Sequence, residues 1–339
     1  VSDMTKLSFS VHSAFTAWQW SPFSMFIGAT LVVVGYWYLQ ADWKLAARGR
    51  KWPAKRTASF FGGLVAIDVA LQSPVATFTA SYFEAHVVQH LLLMVVAPPL
   101  LALGAPSTLL LQTSKRSTKV RWLAVLRSRP FALLTHPISA WFFYFGVMFA
   151  FFLSSLINTA MEHMALMDVF NLLFFFGGTL YWWPLVGVDP IVHWKMRPEA
   201  RMFNVLLGVA PETFLGIAIL GQHAPIASMY SLASTRTGGA MLWASTDFSS
   251  LFGCLVIFVQ WIRSEARAAA RHDNRSDTLA AQAVGTTSDG ECQIAMSATH
   301  SGLTNWEAAW LARTGTIPSQ RTVNNSVVMS RQEAKESQI

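Results

Sequence analysis

A chain of 339 residues has room for two or three soluble domains, but 53% hydrophobic residues, 13% charged residues, 24 Phe and 14 Trp exclude an ordinary soluble composition. The formal charge of +7 would suit nucleic acid in a soluble domain. Here the basic residues sit mostly in short connectors between apolar blocks and in the C-terminal stretch, where they act as topology signals and leave no nucleic-acid surface. Two cysteines, Cys254 in an apolar block and Cys292 in polar sequence, supply neither a disulfide framework nor a paired-thiol metal motif.

Residues 1–20 lack the charged start, short apolar core and small-residue exit of a cleavable signal, and they read as an outer N-terminal arm. Apolar blocks then predict spans at 21–40, 58–78, 86–111, 131–153, 164–186, 203–222 and 240–262. Each is near the ~20 residues that carry a helix through ~30 Å of hydrocarbon. The third block is long enough to tilt, or to kink at Pro98-Pro99.

Connector 41–57 carries Lys44, Arg48, Arg50, Lys51, Lys55 and Arg56, and connector 112–130 is equally basic. Lys195, Arg197 and Arg201 follow the fifth block, and Arg263, Arg267 and Arg271 follow the seventh, whereas the alternate connectors are poor in Lys and Arg. The expected fold is an all-α polytopic membrane protein, a bundle of about seven transmembrane helices with its N-terminus outside and its C-terminus cytoplasmic. Residues 21–262 form that domain. Residues 263–339, rich in Ser, Thr, Ala and Gly, read as a polar, disordered cytoplasmic tail with room for a juxtamembrane helical extension.

This orientation assigns each polar residue a depth. His86 and His90 stand at the outer end of the third span, His163 at the outer entrance of the fifth and His223 at the outer exit of the sixth. Spacing of four sets His86 and His90 on one helical face, where two imidazoles can meet one ion, and Met94 continues that face. Imidazole with thioether accepts copper, and soft sulfur favours Cu(I). His163 or His223 would complete the coordination, and Glu84 and Glu162 at the rim would attract the cation. The bland alternatives are histidines that anchor a helix end and a methionine that fills a core.

Asp68 in the second span and Glu212 beside Pro211 in the sixth are intramembrane carboxylates, costly when charged and suited to a proton or ion path or to interhelical hydrogen bonds. Asp247, higher in the seventh span, could orient a ligand imidazole. No hydrolase elbow, Walker loop or dinucleotide-binding glycine pattern appears in a suitable context, so nothing marks an enzyme.

The run SYFEAHVVQHLLLMVVAPPLLALGAPSTLL, with ALQSP at 70–74, LTHP at 134–137, YWWPLVGVDP at 181–190 and the GG-MLW pattern around 238–243, resembles the CtaG-type cytochrome c oxidase assembly factors. The resemblance covers residues 20 to about 265, and His86 and His90 match its signature histidines. Before the Phe-rich fifth span, where relatives carry a histidine pattern, this sequence has MEHMALMDVFNLLFFFGG, with His163 alone and methionines nearby.

The resemblance implies a non-enzymatic protein of the bacterial cytoplasmic membrane that assists copper delivery to, or insertion into, haem–copper oxidase. Its partners would be an oxidase subunit, an extracytoplasmic copper donor and membrane lipid. Two rivals are a haem-binding membrane cytochrome clamped by His90 with His163 or His223, and a copper transporter using Asp68 and Glu212.

Overall fold

The structure is a computed structural model that describes residues 18–186, 189, 194 and 196–301. Its helices are α1 (Pro22–Ala46), α2 (Ala54–Gln72), α3 (Pro74–Phe78) and α4 (Phe83–Leu91), then a π-helical turn (Leu92–Val96) and α5 (Ala97–Leu103). There follow α6 (Pro106–Thr113), α7 (Arg116–Leu126), α8 (Arg129–Leu134), α9 (Pro137–Phe152), α10 (Leu156–Glu162), α11 (Met164–Val186), α12 (Pro198–Leu220) and α13 (Leu232–Ser301). Most of the N-terminal arm and the tail beyond Ser301 lie outside the described residues. Two compact units are defined, 1–261 and 262–339. The first holds the bundle, and the second is described only as helix up to Ser301.

Among the described residues, 6 helical runs are long and apolar enough to cross a membrane, and a seventh arises if α9 and α10 count together. The fourth span starts later than the block expected at 131–153, because residues 131–134 belong to α8, and Thr135 and His136 separate that helix from α9. Its main helix, α9, has 16 residues, about 24 Å at ~1.5 Å per residue, and α10 turns away from it by 73°. The bend follows from Leu153, Ser154 and Ser155, where the apolar run gives way to a polar step.

Helix starts follow a repeated local rule. Ser21, Ser73, Ser128 and His136 each precede a helix that carries proline in its first turn, and each side chain accepts a backbone N–H of that turn. Proline suits this position because its missing N–H would have had no helical partner. His136, in LTHP, is therefore a helix cap, its Nδ1 accepting Ile138 N–H at 3.2 Å.

The third span is the most enclosed of the apolar runs and lies between two core clusters. Leu93, Ala97 and Leu101 join Tyr38, Phe60 and Leu64, while Phe83, Val87 and Met94 join Tyr144, Phe151, Phe174 and Leu215. Pro98 and Pro99 do not break this span. They cannot donate to the carbonyls a turn earlier, and the backbone answers by widening into the π-turn, closed by Ala97 N–H to Leu92 O.

The break comes later, at Gly104-Ala105, where Ala105 takes a left-handed conformation (φ 51°). Tyr38 donates to Gly104 O at 2.8 Å, and Asp189 accepts Ser107 N–H (3.1 Å), Thr108 N–H (2.9 Å) and the Thr108 hydroxyl (2.6 Å). Those bonds hold a conformation that costs a non-glycine residue energy. Asp189→Ala is expected to lower stability by about 1–2 kcal/mol by exposing the start of α6, visible as a lower midpoint of thermal unfolding in detergent.

Candidate metal centre

His86 and His90 are buried, at 0% and 2% exposure. As the spacing of four requires, their rings lie side by side, with centroids 4.3 Å apart and planes at 75°. The walls come from distant segments. Phe151 of α9 stacks on His86 at 5.6 Å and 5°, Phe174 of α11 meets His90 at 4.0 Å, and Phe152 and Phe83 close the sides.

Three of the four ring nitrogens, His86 Nε2 and both nitrogens of His90, have no hydrogen-bond partner among the described residues. The fourth, His86 Nδ1, is 3.4 Å from the Tyr230 hydroxyl. Tyr230 donates its own proton to Thr79 O at 2.7 Å, so its oxygen can accept the proton of His86 Nδ1. That tautomer leaves a bare lone pair on His86 Nε2. Burial, with Glu84 adding to it, holds the Tyr230 phenol well above its usual pKa, so it remains a donor.

The loop over this box is tied down at several points. Ser234 Oγ donates to Glu84 and accepts Phe83 N–H at 2.8 Å, so α13 is stapled to the start of α4. Ile226 N–H reaches Thr235 Oγ1, and Ser228 N–H reaches Asn158 Oδ1. Gln89, between the histidines, donates to Ala70 O at 2.8 Å and fixes α4 against α2.

The remaining candidates are placed as follows. Met94 is buried at 2% exposure in the π-turn. His163 and His223 are exposed, as are Glu162 and Asp247, and Asp68 is half-buried. Among the described residues, no three of His, Cys, Asp and Glu come together in a metal-binding group, so His86 and His90 stand as a pair. Glu212 belongs to a separate polar cluster, accepting Tyr144 O–H at 3.1 Å and Ser249 O–H at 3.4 Å. The aromatic walls and Tyr230 went unnoticed in the sequence. The runs FAFF at 149–152 and FFF at 174–176 carried a signal, whereas Tyr230 in SMYS carried none.

The arrangement offers neutral nitrogen lone pairs in a dry, ring-lined box.

Residues 36–264, well over half of the chain, match the family described as cytochrome c oxidase caa3 assembly factor (Caa3_CtaG). An uncharacterized protein of Mycobacterium leprae is 26% identical over 283 residues, covering 78% of this chain and 42% of its own length. Uncharacterized proteins of Mycobacterium bovis and Mycobacterium tuberculosis are each 26% identical over 282 residues, with the same coverage. The chain therefore spans less than half the length of these curated relatives. No solved structure matches.

Proposed function

The chain belongs to the Caa3_CtaG family of cytochrome c oxidase assembly factors, and from that premise we propose that it binds Cu(I) at His86 and His90 and hands it to haem–copper oxidase during assembly. Members of the family are chaperone-like and non-catalytic, and this chain is a multi-pass protein of the bacterial cytoplasmic membrane. What carries the copper reading is one observation: three partnerless nitrogens on two adjoining buried imidazoles. Buried polar atoms are nearly always satisfied, so an unsatisfied cluster calls for a ligand.

Two neutral imidazoles suit Cu(I), which accepts low coordination numbers, and the surrounding phenylalanines exclude the water that would stabilise Cu(II). Met94 is a further soft donor on the same span. Glu84 and Glu162 would gather cations at the rim, His163 and His223 would serve capture at the exposed end, and Asp68, Asp247 and Glu212 would move protons as charge enters. With the N-terminus outside, the box faces an extracytoplasmic copper donor, and an oxidase subunit receives the ion by ligand exchange.

A haem is a poorer guest. The two imidazoles share one helix, and Phe151 and Phe174 fill the space that a macrocycle would need. The test is an anaerobic Cu(I) titration of the purified protein against a coloured chelator. The parent is expected to bind copper with nitrogen ligation, and His86→Leu/His90→Leu to lose that nitrogen-bound ion. Equal nitrogen-bound copper in both proteins would refute the assignment.

A further inference from the structure

Beside the histidine box lies a second feature that the copper reading does not use. A cavity of about 410 Å³ opens between the start of α1, the C-terminal half of α3 with the residues that follow it, and the α10–α11 junction, and Met161, Met164 and Met167 all line it. The sequence alone does not place these three residues on one wall, because Met161 lies in the last turn of α10 while Met164 begins α11. Extended backbone at His163 (φ −122°, ψ 99°) joins the two helices and lets both present methionine to the same space.

Asp168 and Asn171, one and two turns along α11, line the cavity as well, and Asn171 Oδ1 is buried without a partner among the described residues. Gln89, the residue before His90, forms part of the opposite wall. One side chain touches both compartments: the Tyr230 hydroxyl is 3.7 Å from Met161 Sδ and 3.4 Å from His86 Nδ1.

We propose that Met161, Met164 and Met167 form a thioether site that captures Cu(I) and feeds it past Tyr230 to His86 and His90. The inference rests on the copper reading of the histidine pair. Thioethers are soft, neutral and never protonated, so they select Cu(I) over hard cations and over Zn(II). They hold it loosely enough to release it to imidazole, and the carboxyl of Asp168 and the amide oxygen of Asn171 balance and solvate the arriving cation. Transfer is ligand exchange throughout: the Cu–S bonds give way to two Cu–N bonds, one to each imidazole, a coordination number that Cu(I) accepts, and copper stays Cu(I). Met164, exposed at 71%, meets the ion first, and half-buried Met161 is the sulfur beside Tyr230.

The experiment uses the full chain in lipid nanodiscs under anaerobic conditions, with Cu(I) supplied as its bicinchoninate complex. Three proteins are compared: parent, Met161→Leu/Met164→Leu/Met167→Leu, and His86→Leu/His90→Leu. Leucine keeps the methionine volume, and unchanged thermal unfolding of the triple variant verifies the fold.

The histidine variant is expected to retain Cu(I) with sulfur scatterers in its X-ray absorption spectrum. The methionine variant is expected to retain nitrogen-bound Cu(I) but to load it about tenfold more slowly or worse, the scale on which lost ligand support acts. Loading of the methionine variant at the parental rate, or absence of sulfur-bound copper in the histidine variant, overturns the capture site and leaves the histidine assignment standing. A parent protein that binds no nitrogen-ligated Cu(I) overturns both.

Discussion

The His86→Leu/His90→Leu protein is expected to be more resistant to heat than its parent while failing to support oxidase assembly. In the parent, three buried ring nitrogens lack partners, and each such group costs free energy that leucine of similar volume does not. Removing them is expected to raise stability by about 2 kcal/mol, discounted from the sum of separate penalties because leucine fits the aromatic walls less well than imidazole. A strain that depends on this variant is expected to accumulate oxidase deficient in copper, measured as lost oxidase activity with haem still present. The opposite pairing, lower stability with normal assembly, would mean that the histidines are core residues with no task in copper handling. A stability gained by deleting the functional groups is the usual signature of a site held against the preference of its surroundings.

Gly178→Ala is expected to cost about 3 kcal/mol or more, because added volume at a tight crossing must displace whatever it meets. A methyl group at Gly178 would lie 2.5 Å from Met94 O, 2.8 Å from Met94 Cα and 2.9 Å from Pro98 Cγ. Two of these are backbone atoms of the π-turn, so no side chain can swing aside, and α11 as a whole must back away. Helix association in lipid gains little from the hydrophobic effect and depends on such close approaches.

Phe174, one turn earlier on α11, would be drawn off His90, so copper affinity is expected to fall with stability. Gly146→Ala in α9 is the matched control. Nothing lies within 4 Å of its added methyl, and the gain in helix propensity is expected to raise stability by up to about 1 kcal/mol. Thermal unfolding and folded yield from membranes distinguish the two, and equal behaviour would show that the α11 crossing is looser than its geometry indicates.

Much of the bundle was legible because membrane constraints are local. The block at 164–186 coincides with α11, and the neighbouring blocks differ mainly at their ends. The fourth span was less legible: the block read at 131–153 ran α8 into α9 across Thr135 and His136, and the 73° turn into α10 comes at the block's end, at residues 153–155, with Ile157 and Ala160 packed into the core. At the site, the pairing of His86 with His90 could be read from spacing, and the choice of third partners could not. His163 and His223 were expected at the depth of the pair but are exposed, because depth says nothing about which way a side chain faces. The methionines near His163, at 161, 164 and 167, carry no sign in the sequence that they share one cavity, for the same reason.

Taken by itself, the sequence determined that this chain lies in a membrane, where helices begin at their prolines, and that two imidazoles share a face. Each of these depends on residues within a turn or a single span, where apolar length, missing N–H groups and the i, i+4 geometry suffice. Only the tertiary structure decided that those imidazoles are sealed among phenylalanines, that Tyr230 joins them to a methionine-lined cavity, and that Gly178 must stay bare against Met94. These contacts join segments far apart in the sequence, and they depend on how helices cross, bend and close upon one another, which no local pattern encodes.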